Sequence, residues 1–317
     1  VSEALIAALR DPPHRLELRV DDVDHEDLHL ALYCCYELHY RGFDGVDDDW
    51  EWEPSLLAVR GELERRFEAE LLELVGAPGE PPEPYEIDAV LRELMVADDT
   101  PSLSTYIERE ASVAQVAEFM IHRSAYQLKE ADPHSWALPR LWGPPKAAMV
   151  EIQADEYGSG RADQIHAELF ARAMDAVGLD STYGAYLDQI PGVTLATVNL
   201  MSLLGLHRRW RGAIVGHLAL FEMTSSIPNR RYGAGLRRLG YGDDATAFFD
   251  VHVVADAVHE SIAAVDLAGG VARQDARLGA DVIWGARALL AVDGRWVRHV
   301  MAAWEADRPS LSLLGVS

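Results

Sequence analysis

A chain of 317 residues, 49% hydrophobic and 25% charged, is long enough for one large domain or two ordinary ones and has a globular composition, which excludes wholesale disorder. Its 52 acids against 28 Lys and Arg give a formal net charge of −24, the wrong sign for a nucleic-acid-binding surface. No run of about 18 apolar residues occurs, and the opening Val-Ser-Glu-Ala-Leu lacks the build of a signal peptide, so a cytoplasmic protein without a membrane anchor is expected.

In chain order, residues 16–20 are the one short stretch with strand-like alternation, and the expected fold class is all-α. Cys34 and Cys35 are adjacent and are read as small buried apolar residues, not a disulfide. The acidic run Asp47-Asp48-Asp49 beside Trp50 and Trp52 reads as a solvated loop with aromatics tucked beneath it. Apolar residues at three- and four-residue spacing predict helices over 56–75, 104–131, 164–177, 193–226, 245–267 and 271–290. Between them, the Pro- and Gly-rich segment 76–84 sets off an N-terminal helical region, and Pro133, Pro139, Pro144 and Pro145 punctuate the next crossing. Pro228 is expected to end a helix, 240–244 to form a turn, and Gly269-Gly270 to split the last two helices.

The sharpest motif is His252-Val-Val-Ala-Asp256-Ala-Val-His259. At about 100° per residue, Asp256 and His259 fall within about 40° of His252, so the three share one face of a helix flanked by Phe248, Phe249 and several valines. Three polar groups on a buried face are costly unless something binds them, and a metal does. His252 and His259 are about 10.5 Å apart in helix rise, too far for one ion and well suited to two that lie about 4 Å apart. The competing reading is a hydrogen-bonded pair of core histidines.

Further ligands are sought on other buried helices. Glu156 and His166 would stand about 15 Å apart along an unbroken helix, so joint ligation needs an unwound segment, which Gly158 and Gly160 permit. Glu222 lies in an apolar run, where an ionised carboxylate needs a cation. Glu130, before Pro133, is a weaker candidate, with Glu118 and His122 as competitors. Tyr157, Arg208 and Arg211 are candidate orienting groups. Oxygen and nitrogen donors without thiolate suit iron or manganese better than structural zinc. A paired Glu-x-x-His signature of the ferritin type is absent; Asp163-Gln-Ile-His166 comes nearest.

With Glu156, His166, Glu222 and the His252 motif in this order, the chain resembles the heme-oxygenase-like diiron oxidases, also called iron-containing redox enzymes. The resemblance runs from about Ser104 to Trp304 and extends to Leu32-Tyr33-Cys34-Cys35-Tyr36-Glu37-Leu38-His39-Tyr40-Arg41-Gly42-Phe43. It implies a heme-oxygenase-like helical bundle with the diiron domain over 102–317, and over 1–101 an N-terminal helical region packing on it. It also implies that Glu156, His166, Glu222, His252, Asp256 and His259 bind two iron ions. Glu130 falls where the N-oxygenating branch has a seventh carboxylate. The function implied is a dioxygen-activating oxidoreductase that oxidises an amine or guanidine nitrogen of a small-molecule substrate. Dioxygen is the co-substrate, the electron donor is external, and the assembly is a homodimer. Desaturation, or carbon–carbon cleavage or decarboxylation of an amino or fatty acid, is the alternative within the family; a non-catalytic iron-binding protein, or a hydrolase using Cys34 or Cys35, is the alternative outside it. The nitrosourea-forming members carry a further cupin domain that is not seen here, so their rearrangement is not expected.

Overall fold

The computed structural model describes residues 1–312, except for the side chains of Asp256 and Ala257. Among the described residues there is no strand, residues 16–20 included. The helices are α1 (Ser2–Leu9), α2 (His25–Glu37), α3 (Pro54–Val75), α4 (Ile87–Ala97), α5 (Leu103–Arg109), α6 (Val113–Gln127), α7 (Asp132–Ser135) and α8 (Gly143–Glu156), followed by α9 (His166–Ala176), α10 (Gly192–Leu206), α11 (Arg211–Arg238), α12 (Asp243–Ser261), α13 (Gly269–Gln274) and α14 (Arg277–Glu305). No helix is long and apolar enough to cross a membrane.

The axis of the fold is α11, which packs on α14, α12 and α5. Its crossing with α14 is made close by two glycines. A Cβ on Gly216 would meet the Val282 carbonyl, and one on Gly285 would meet the Ala213 carbonyl, so each backbone rests in the gap left by the other's missing side chain. α1, α2, α3 and α4 share one hydrophobic core with α10, α11 and α14, in which Leu5, Leu32, Leu63 and Leu91 are fully buried. A second core gathers α5, α6, α9, α12 and the far end of α14 around Phe119, Phe170, Phe248 and Trp296.

Several predicted boundaries move. The helix expected over 104–131 is two, broken at Ser112, whose side chain caps α6 in a box with Gln115. His207 divides the stretch expected over 193–226 into α10 and α11. Pro228 does not end its helix but sits inside α11, on a side that lines a cavity. The break expected at Gly269-Gly270 falls at Asp275; before it, α12 passes into a π-helical stretch, Ile262–Ala268. Cys34 and Cys35 are buried free thiols, and burial pushes the Cys34 thiol up to about 12. Trp50 is buried as expected, whereas Trp52 is exposed.

Candidate metal centre

The segment between α8 and α9 is where local geometry departs most from helix. Glu156 is the last residue of α8 and His166 the first of α9. Two 3-10 turns, Gly158–Gly160 and Ala162–Gln164, lie between. Gly158 has φ +66, and a Cβ there would lie 2.7 Å from the backbone of Gln164 and Ile165, so only glycine lets the chain fold back this tightly. The turn brings His166 Nδ1 to 2.8 Å from Glu156 Oε2.

Glu130 lies just beyond α6, and the next residue, Ala131, is left-handed with φ 73, a conformation costing about 1–2 kcal/mol for a residue with a Cβ. The Gln153 amide of α8 donates to the Ala131 carbonyl at 2.9 Å and holds the turn. Glu130 is thereby buried, with Oε1 3.7 Å from His252 Nε2. On α12, His252 Nδ1–H donates to the Phe248 carbonyl at 2.7 Å, which leaves Nε2 as the lone-pair nitrogen facing Glu130. His166 and His252 stand 4.3 Å apart between ring centres. Two turns on, His259 presents Nδ1 to Glu222 Oε2 of α11 at 3.3 Å and Nε2 to Asp155 Oδ2 at 3.1 Å.

Two groups of potential ligands result. The ligand atoms of Glu130, Glu156, His166 and His252 all lie within 4.8 Å of one another, and those of Glu156, Glu222 and His259 do likewise; Glu156 is common to both. All six side chains are buried. The side chain of Asp256 lies outside the described residues. Glu130 Oε2, His166 Nδ1 and His259 Nδ1 have no hydrogen-bond partner among the described residues, although two of them face a carboxylate at short range. Closely set donor atoms without hydrogen-bond geometry fit a cation between them.

The electrostatics agree. Burial would lower the His259 pKa, but Glu222, Asp155 and Glu156 override it and raise it to about 9. Burial would raise the Glu156 carboxyl, but His166, His252 and His259 bring it below its ordinary value. The carboxylates hold more negative charge than the histidines offset, and a proton or a metal ion answers that excess equally well.

The competitors of Glu130 are engaged elsewhere: Glu118 accepts from Trp304 and Ser310, and His122 bonds Thr194 and Ser310. Of the orienting groups expected, Tyr157 bonds Ser135 and Asp132 beside the centre. Arg208 is exposed, and Arg211 opens α11, about 16 Å of helix from Glu222; neither reaches the cluster. Sequence reasoning missed Asp155, hidden beside Glu156, and the buried pair His134 and His217, 3.0 Å apart between Nε2 and Nδ1. His134 shares a small cavity with Glu130, Glu156, Glu222 and His252. A histidine inside the apolar run 213–220 was the available signal.

A larger cavity of about 310 Å³ reaches the cluster at Glu130 and His252. The profile of the family described as iron-containing redox enzymes matches residues 117–294, more than half of the chain. The chain belongs to that family. Iron-containing redox enzymes of this kind have an all-helical fold, and membership makes the protein an oxidoreductase. A nitrosourea synthase of Streptomyces achromogenes subsp. streptozoticus is 31% identical over 139 residues, which are 43% of this chain and 29% of that protein. The similarity therefore spans less than a third of the relative's length.

Proposed function

We propose that this iron-containing redox enzyme is a non-heme diiron oxygenase that uses dioxygen to oxidise an amine or guanidine nitrogen of a small molecule. The observation that carries the reading is Glu156, a buried carboxylate common to both ligating groups, so that one side chain would help to hold both ions. In this reading Glu130, His166 and His252 complete one end, and Glu222 and His259 the other. Asp256 joins them on its position in the sequence. Iron held there supplies the reductive activation of dioxygen, with electrons from an external donor.

The chain's own residues bind, orient and exclude. The Phe248 carbonyl fixes the His252 ring and Asp155 fixes His259, as second partners of ligating histidines do. The cavity is at the small end of ligand sites, and Phe119, Phe221, Phe248 and Phe249 give it apolar walls. Asp98, Asp293 and Glu130 bring carboxylates to its lining, which favours a substrate with a cationic nitrogen. Arg123 also lines the cavity, 4.2 Å over the Trp296 ring and 3.8 Å from Asp293, and offers a partner for an anionic group. Oxidation at nitrogen is favoured over desaturation by the extra carboxylate Glu130 and by the similarity to a nitrosourea synthase. A homodimer completes the proposal.

The test is anaerobic reconstitution with ferrous iron, metal analysis, and oxygen uptake with a panel of amines and guanidines, the products read by mass. Two irons per chain and a product one oxygen heavier at nitrogen are expected, with Glu156→Ala binding at most one iron. Two irons with a product lacking two hydrogens, or shortened by a carbon fragment, would move the assignment to a desaturase or lyase.

A further inference from the structure

A second convergence of ligating side chains lies outside this centre. His25 and His29 are one turn apart on α2, and Glu70 is on α3, which packs against it. Their ligand atoms lie within 4.8 Å of one another, and the two imidazole rings stand 4.4 Å apart at an angle of 58°. His29 is fully buried, yet its Nε2 is 3.8 Å from Glu70 Oε2 and has no hydrogen-bond partner among the described residues. A void of about 10 Å³ opens at this point, lined by all three side chains, so the buried nitrogen faces a space about as large as one water or one ion.

We propose that His25, His29 and Glu70 form a second metal site, separate from the iron centre, for one divalent transition ion of the zinc type. Two imidazoles and a carboxylate suit such an ion and not calcium or magnesium, which prefer all-oxygen shells. Ligand atoms around a tetrahedral ion stand about 3.4 Å apart, so the present spacings need only a small closure. The side chains free to make it are His25 and Glu70, neither of which is buried. His29 is held: the Asn199 amide donates to its carbonyl at 2.8 Å and lies 3.3 Å from its Nδ1. Metal at Nε2 places the ring proton on Nδ1, and the Asn199 amide then has to turn over, giving up its bond to the His29 carbonyl to present Oδ1, which is buried and has no partner. Burial keeps His29 in the neutral form that binds metal. Arg295 also lines the void and opposes a cation there, while the charges of Glu70 and Glu26 favour one. The ion would clip α2 to α3.

The experiment uses the full chain, zinc as the probe, and a chromophoric chelator as competitor. Glu156→Ala/His252→Ala protein, disabled at the iron centre, is expected to keep one zinc, and adding His25→Ala or Glu70→Gln is expected to weaken that zinc about tenfold or more. In otherwise wild-type protein, His25→Ala alone should lower the total zinc bound by one per chain and remove the rise in melting temperature produced by that ion. His25 is not buried, so this variant reports on the site even if the double variant fails to fold. A zinc stoichiometry and affinity unaffected by His25→Ala and Glu70→Gln would overturn the proposal, whatever the fate of the iron reading.

Discussion

Lys129 and Glu130 are neighbours in the chain and point into two different buried polar clusters. Lys129 is answered completely. Its Nζ donates to Glu37 Oε2 at 2.6 Å and stands 4.6 and 4.4 Å from the rings of Tyr33 and Tyr40. The Tyr183 hydroxyl donates to the other oxygen of Glu37 at 2.7 Å. Glu130 has instead one oxygen without a partner and a histidine at 3.7 Å. Among the described residues, Glu130, Glu156 and Glu222 each face a histidine, which can yield its proton to a metal; Glu37 faces a lysine, which does not. The contrast separates a buried cluster that serves the fold by itself from one arranged for something the chain does not contain.

Breaking the first cluster should have the largest effect on stability. Lys129→Met leaves Glu37 charged and buried, with the Tyr183 hydroxyl and the Arg41 amide as donors but no cation bonded to it, and is expected to cost about 3–5 kcal/mol in urea unfolding. A loss below about 1 kcal/mol would mean that Glu37 takes up a proton and the pair contributes little to the fold. Burial pulls the Lys129 pKa down while Glu37 holds it up, so Lys129→Met/Glu37→Gln should recover much of the loss.

The histidines divide along the same line. Burial lowers His122 to about 3, aided by the charges of His299 and Arg123, and lowers His134 to about 4, whereas His259 in the centre rises to about 9. His122 and His134 are neutral in the fold and titrate near 6.5 when unfolded, so below pH 6.5 the unfolded chain binds more protons. The contribution of these two histidines is therefore full above about pH 6.5 and falls toward pH 4 by about 1.4 kcal/mol per pH unit for each, whereas that of His259 is present below about pH 6.5 and lost as pH rises through 9. His122→Asn should make the slope between pH 6.5 and 5 shallower by about that amount; an unchanged slope would show that His122 is protonated in the fold.

Gly158→Ala probes the backbone that assembles the centre. With φ +66 and no room for a Cβ, the substitution should cost about 1–3 kcal/mol and separate His166 from Glu156, so iron content should fall while helix content by circular dichroism stays. Retained iron would show that the turn can open without disturbing the pair.

Helical content and most positions of the proposed centre were legible because they depend on periodicity. His252 and His259 are placed by a seven-residue helical separation, and Glu222 by the apolar run around it. The need to unwind between Glu156 and His166 followed from rise per residue. Boundaries were less legible. Pro228 continues its helix because the fold holds α11 on both sides of it, and Gly269-Gly270 passes inside helix because Pro145 packs against Gly270; both are tertiary effects that local propensity does not carry. Arg208 and Arg211 were misplaced because the break at His207 turns the start of α11 away from the cluster. Asp155 and His134 were missed because their role depends on which helices meet.

The smallest expected effect on stability is the most informative about the centre. Glu130→Gln keeps shape and removes a buried charge whose Oε2 has no partner, so metal-free protein should unfold at the same urea concentration or higher, with a change within about 1 kcal/mol. Glu37→Gln, one of the paired residues, should instead destabilise, since it strands Lys129. If Glu130 ligates iron, the same silent substitution should weaken iron binding, because an amide oxygen is a poorer ligand than a carboxylate, and should depress oxidation at nitrogen more than total oxygen consumption. A metal-free protein clearly destabilised by Glu130→Gln would place Glu130 with Lys129, as a residue of the fold. Unchanged iron affinity would remove it from the ligand set and leave Glu156, His166, Glu222, Asp256 and the two histidines of α12 as the proposed centre.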